Sequence, residues 1–260
     1  MQIVSLTFDD GLRCQIERGV PVLDQHGLPA TFFIAANASP VHLDYCPHAP
    51  WRKIEWNADD ARTLKEMVRR GHEIGSHSVS HKHSQNRSLR PAHDPGYDAR
   101  YEAEESKRLI SDWMDTDITS FCYPFCGKGG GLKEAVVAAR YSQARAGAGG
   151  AYYPIGAALD YFDIDCRFAG QSGRRENVAD WKRHGDQWHV LTFHGIGEVH
   201  ASLDPSKDPD GWMSISPEEF AREMSELAVY RDAGEVEVLT FADAAERMRL
   251  ALESVHRAAR

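Results

Sequence analysis

The stretch Ile3-Val4-Ser5-Leu6-Thr7-Phe8-Asp9-Asp10-Gly11 decides the reading of this chain. Ile3 to Phe8 is a short, mainly apolar run, the mark of a buried strand. It ends on two carboxylates and a glycine, the composition of a tight turn. Adjacent residues leaving a strand point in different directions. Asp9 and Asp10 can therefore take different roles, one gripping a cation and the other reaching a water. An Asp-Asp-Gly turn without chemistry is also common, and the stretch alone leaves both readings open.

Outward from this stretch, short apolar runs alternate with helix-like segments along the 260 residues. Further strands are expected at Ala30–Ile34, His72–Gly75, Ile118–Tyr123, Tyr161–Phe168, His189–Phe193 and Val236–Leu239. Helices are expected at Glu17–His26, stopped by Gly27, from an Asn57 cap to Gly71, at Tyr101–Trp113 and at Leu132–Arg140. Ser216-Pro217-Glu218-Glu219 combines an N-cap, a first-turn proline and a capping-box glutamate, and Thr240 caps the last helix. Repeated βα units predict an α/β fold with a parallel sheet or a barrel. Without internal repeats or linkers, residues 1–260 read as a single domain.

Composition narrows the function. The apolar fraction is 42% and the net charge −9, with lysines and arginines scattered. Nucleic acid needs a concentrated cationic footprint, so it is not an expected partner. No apolar run approaches the roughly 20 residues of a membrane span. Met1 leads directly into the first strand with no apolar signal region, which reads as cytoplasmic, or as secreted if a leader has been trimmed. Five cysteines without regular spacing, Cys122 and Cys126 being four apart, read as reduced structural thiols.

His77-Ser78-Val79-Ser80-His81 adds two histidines at i and i+4. On a helical turn these share a face and can grip one cation; for an isolated pair, surface histidines are the commoner reading. Two imidazoles with one carboxylate suit zinc, cobalt or nickel. Chemistry in βα folds collects at strand ends, and Asp9-Asp10, His77, Tyr123-Pro124 and His194 all fall there.

In this order, TFDDG followed by HSxxH resembles the first two motifs of the polysaccharide deacetylase domain (carbohydrate esterase family 4, NodB homology). The resemblance spans Ile3 to Phe241. It implies a distorted (β/α) barrel of about seven parallel strands, a divalent metal, most of all zinc, held by Asp10, His77 and His81, and Asp9 as general base. The family's third motif, usually RPPYG, corresponds to Cys122-Tyr123-Pro124-Phe125-Cys126-Gly127. Here cysteine replaces the arginine that steadies the base. The Phe125 N–H is left to serve an oxyanion, with Tyr123 and Pro124 near the substrate. Val190-Leu191-Thr192-Phe193-His194-Gly195 resembles the fifth motif, whose histidine protonates the leaving group; Thr192 stands where leucine is usual. The Asp-Trp pair of the fourth motif is absent, and Asp165 is a stand-in to orient the histidine.

Arg167 is the expected substitute for the missing arginine. Along Tyr161–Phe168, Asp163, Asp165 and Arg167 alternate with apolar residues, which puts the charges on one strand face with Arg167 nearest its C-terminal end. A self-paired charge ladder fits the same pattern. Together these readings predict removal of N-acetyl or O-acetyl groups from an acetylated carbohydrate. Hydrolysis of a small cyclic amide or imide on the same scaffold, and a non-catalytic glycan-binding relative, are the alternatives. Trp51, Trp56, Trp188 and Trp212 can line a sugar groove or simply pack, with Trp212 the chosen substrate contact. The long segments Pro40–Trp56 and His200–Met213 are expected to border the site.

Overall fold

In a computed structural model, alternation along the strands sorts the side chains onto two faces of one curled, mostly parallel sheet. The structure describes residues 1–36, 57–81, 97–147, 149, 152–169, 185–197 and 214–258. The early strands are β1 (Gln2–Phe8), β2 (Thr31–Ile34), β3 (Glu73–Ser76), β4 (Ser120–Cys122) and β5 (Gln143–Arg145). Then come β6 (Tyr153–Pro154), β7 (Arg167–Phe168), β8 (Gln187–Phe193), β9 (Gly195–Ile196), β10 (Ser214–Ile215) and β11 (Val236–Val238). The helices are α1 (Val20–His26), α2 (Ala58–Arg69), α3 (Ala99–Met114), α4 (Leu132–Ala138), α5 (Pro217–Asp232) and α6 (Phe241–Ala258).

The ladder β5-β4-β3-β2-β1-β8 is parallel throughout, with β7 parallel to β8, β11 parallel to β1 and β6 antiparallel to β8. The segment 161–168 closes the ring: Ile164 bridges Arg145, while Arg167 and Phe168 pair with Leu191 and Thr192. β1 to β5, β7 and β8 thus form the expected distorted (β/α) barrel. The helix caps follow the sequence reading. Asn57 accepts from the N–H groups of Asp59 and Asp60, and Ser216 from that of Glu219.

Three of the differences from expectation bear on the site. The run Tyr161–Phe168 is not a continuous strand, because Asp160 starts a turn by accepting from the N–H groups of Phe162 and Asp163. The helix expected from Glu17 begins as a π-helical turn over Gln15–Gly19. Gln143–Arg145, three residues with a polar one at each end, is a strand that apolar patterning did not reveal.

Outward-facing Val4, Leu6 and Phe8 join the helices in one core, where Phe8 stacks on Phe32 and Phe193 with ring centroids 4.7 and 5.2 Å apart. Inward-facing Ile3, Phe33, Trp188 and Val190 form a second core with Phe241, Ala244, Ala245 and Met248 of α6, which plugs the barrel from below. Trp188 belongs to this core, its indole N–H donating to Ser5 Oγ at 3.1 Å, and so lines no sugar groove. Gly75 is needed where it stands, since a Cβ there would fall 2.6 Å from the Phe33 ring. Among the described residues no helix is long and apolar enough to cross a membrane.

The carboxylate of Glu73 ties this lower end together. It accepts from Thr31 Oγ1 at 2.7 Å, from Ser120 Oγ, and from the Ala242 N–H at 3.0 Å, joining β2, β4 and the first turn of α6. Glu73→Ala strands three donors, and urea denaturation is expected to show a loss of about 1–3 kcal/mol.

Candidate functional site

The opposite, upper end of the barrel gathers the polar strand ends. Asp9 and Asp10 leave β1 through a left-handed turn, Asp10 at φ 76° and Gly11 at φ 67°. A Cβ on Gly11 would lie 2.9 Å from Ile34 Cγ2, so the turn needs glycine. His77 leaves β3 and sends Nδ1 to the Cys122 carbonyl at 2.8 Å. With its proton fixed on that side, Nε2 is the atom free to ligate. Nε2 lies 3.6 Å from Asp10 Oδ1, and His81 Nε2 lies 3.0 Å from the same oxygen.

Donors about 3–3.5 Å apart suit an ion about 2.1 Å from each. The Asp10, His77 and His81 donor set therefore fits a divalent metal. Burial, with His81 beside it, pushes the His77 pKa down to about 4, so its imidazole is neutral and able to ligate at neutral pH. The two histidines do not share a helical face, as their spacing suggested. They converge through a loop with Ser78 at φ 66° and His81 at φ 55°. Their neighbour His72 is structural, accepting from the Ala30 N–H at 3.2 Å and meeting Asp24 at 3.1 Å.

Asp9, Cys122 and His77 also lie close enough to share an ion. There, however, the guanidinium of Arg145 already supplies the positive charge. Fully buried at the end of β5, Arg145 pairs with Asp9 Oδ2 and donates to Thr192 Oγ1, Cys122 Sγ and Cys166 Sγ, each at 2.7 Å. Burial works against that charge, but the adjacent Asp9 carboxylate holds the Arg145 pKa well above its ordinary value. Burial likewise pushes the Cys122 thiol well up, so it meets Arg145 as a neutral acceptor.

The cation beside Asp9 is therefore Arg145, where the sequence pointed to Arg167. The face of 161–168 that turns inward is that of Ile164 and Cys166. Arg167 stacks instead over the Tyr152 ring, 3.9 Å from its centroid. Asp165 packs against Gly147 and Gly149, and Asp163 pairs with Lys128. Arg145 was missed because its strand was missed; recognised as a strand end, it would have joined the other polar strand ends.

His194, at the end of β8, places Nε2 3.6 Å from Asp9 Oδ2 and packs on Phe168. The buried Gln15 holds the two strand ends in register, its Nε2 donating to the carbonyls of Asp9 at 2.6 Å and His194 at 2.9 Å. No motif marked that residue. Phe125 is 37% exposed beside the candidate metal ligands, its ring centroid 4.7 Å from that of His81, and holds a left-handed φ of 54°. Pro124 is buried in the same turn. Tyr123 is drawn away from the site: its ring is in the outer core and its hydroxyl donates to the Phe162 carbonyl at 3.2 Å. Trp212, Trp51, Trp56 and the segments Pro40–Trp56 and His200–Met213 lie outside the described residues. Cys14, Cys122, Cys126 and Cys166 form no disulfide.

A family model described as polysaccharide deacetylase matches residues 1–144. Among solved structures, the chain is similar to a family 4 acetyl xylan esterase from Clostridium thermocellum in complex with a cobalt ion, at 19% identity over 96% of this chain and 91% of that one, TM-score 0.54. It is also similar to the peptidoglycan deacetylase PdaC from Bacillus subtilis, at 14% identity over 98% and 96% of the two chains, TM-score 0.55. The Streptococcus pyogenes deacetylase PplD in complex with acetate matches at 15% identity over 61% of each chain, TM-score 0.45. No curated protein matches. At these identities the likeness to the xylan esterase and to PdaC is one of fold.

Removing Arg145 leaves Asp9 as an uncompensated buried charge. Arg145→Met is expected to cost about 3–5 kcal/mol in urea denaturation, with much of it recovered in the Asp9→Asn, Arg145→Met double variant. Arg167→Ala loses a stacking contact of about 0.5–2 kcal/mol and shows no such recovery with Asp9→Asn.

Proposed function

Since the chain belongs to the polysaccharide deacetylase family, we propose that it is a metal-dependent hydrolase that removes acetyl groups from the nitrogen, or the oxygen, of a carbohydrate. The observation that carries this reading is the division of labour between neighbouring carboxylates. Asp10 converges with His77 and His81 on one point, while Asp9 is held off that point by Arg145. Asp10, His77 and His81 would hold the metal, most of all zinc, with cobalt or nickel also suited to two imidazoles and a carboxylate. Once bound, such an ion supplies Lewis acidity to a carbonyl oxygen and makes water more acidic.

The chain's own residues do the rest. Asp9 accepts the proton of the attacking water, and the ion pair with Arg145 holds its carboxylate in place. The Phe125 N–H donates to the oxygen that gains charge as the carbonyl becomes tetrahedral. His194 gives a proton to the departing amine or alcohol. Its Nε2 stands near enough to Asp9 for base and acid to act on one substrate bond.

The test is acetate release from chito-oligosaccharides and acetylated xylan by the purified chain with added Zn²⁺ or Co²⁺. A chelator is expected to abolish it, and Asp9→Asn to slow it by about 10²–10⁴-fold. Binding of one metal per chain with no acetate released would overturn the substrate class and direct the assay to cyclic amides.

A further inference from the structure

The loop that carries the candidate metal ligands takes a shape its own sequence does not favour. Ser78 and His81 both hold left-handed backbone angles, conformations that side chains with a Cβ adopt rarely and at a cost. Something outside the loop has to impose that shape, and α3 carries the means. Glu102 and Ser106, one helical turn apart, both face inward and are buried.

Glu102, 3% exposed, places both carboxylate oxygens on the loop. Oε2 accepts from the N–H groups of Val79 and Ser80, each at 2.9 Å, and Oε1 accepts from Ser80 Oγ. Ser106 Oγ accepts from Ser76 Oγ at 2.8 Å, and Ser76 Oγ in turn accepts from the Ser78 N–H at 3.3 Å. Inside the loop, Ser78 Oγ accepts from the His81 N–H at 3.0 Å. The chain of bonds runs from the helix to the backbone of each residue between the two histidines and on to His81. It brings the two imidazole centroids to 4.6 Å.

We infer that Glu102 is a positioning residue for the candidate metal centre, holding the loop so that His77 and His81 present their Nε2 atoms to the same ion as Asp10. This rests on the metal-centre reading above. A carboxylate that only braced the fold would lower stability without touching metal affinity. One that sets the ligand geometry weakens the metal more than its share of stability explains, as outer-shell partners do.

Titration calorimetry of the full chain with Zn²⁺ or Co²⁺, beside melting of the metal-free form, separates these cases. Glu102→Ala is expected to weaken metal binding by about 10–100-fold. Glu102→Gln keeps an oxygen for the two N–H groups and an NH₂ for Ser80 Oγ, and is expected to bind close to the unsubstituted chain. Ile110→Ala, in the core side of the same helix, lowers the melting temperature and leaves metal affinity unchanged. Ser80→Ala removes a single contact and gives a smaller loss in the same direction, which serves if Glu102→Ala does not fold. Full affinity in the Glu102→Ala and Ser80→Ala variants, or equal losses in Glu102→Ala and Glu102→Gln, overturns the inference alone. An unsubstituted chain that binds neither metal overturns the metal-centre reading and the inference with it.

Discussion

A carboxylate and a guanidinium buried side by side at the top of the barrel set the terms for their surroundings. Each charge loses water on entering the interior, and the loss is made good only where the pair is complete and its remaining donors find acceptors. The neighbours of Asp9 and Arg145 meet most of that demand, although the Arg145 Nε–H has no acceptor among the described residues. Thr192 and two thiols accept from the guanidinium, the Phe33 ring lies 5.6 Å below it, and Thr7 supports Thr192 at 2.9 Å. Two of the departures from the family motifs, at Cys122 and Thr192, thereby acquire one cause. The usual arginine would stand at Cys122; here the cation comes from β5 into the same space, cysteine leaves room for it, and threonine rather than leucine gives it an acceptor.

That pairing also organises charge across the upper face. The negative charge of Asp9 is answered within the protein by Arg145, and Asp10 Oδ1 faces the Nε2 atoms of His77 and His81. On the proposed reading, a divalent ion would meet one carboxylate and two imidazoles, with Asp9 alongside as a separate base. At the other end, the Glu73 tether and α6 fill the interior, and the candidate site residues lie at the strand ends of the opposite face. The division follows from strand parity: inward residues of the same strands supply apolar filling below and polar groups above.

Much of this was legible in the sequence because it is local. Asp9-Asp10-Gly11, the His77–His81 pair and His194 sit at strand ends marked by abrupt changes from apolar to polar, and the caps at Asn57 and Ser216 are four-residue signals. What was not legible depends on distant partners. Arg145 ends a three-residue strand with no apolar run, and its parity shows only when β4 and segment 161–168 are in place. Arg167 looked stronger because it ended an alternating pattern, yet alternation cannot say which face turns inward. Glu102 stands beside Glu104 and Glu105 in the sequence, where no motif marks it; only the packing of α3 singles it out. The helical geometry expected for the histidine pair failed for a similar reason, since spacing of four is compatible with a loop bent by contacts from elsewhere.

The left-handed backbone at Asp10 bears on how such a lineage can change over time. At φ 76°, asparagine and glycine are tolerated alongside aspartate, whereas most other residues strain the turn. A single-nucleotide drift from aspartate to asparagine would leave the backbone and the buried ion pair next door intact, while deleting the one anionic donor of the cation set. On the proposed metal-centre reading, the route from a working hydrolase to a well-folded, silent descendant is then one step long. Ancestral activity would have to be read from the neighbouring residues that such a descendant retains.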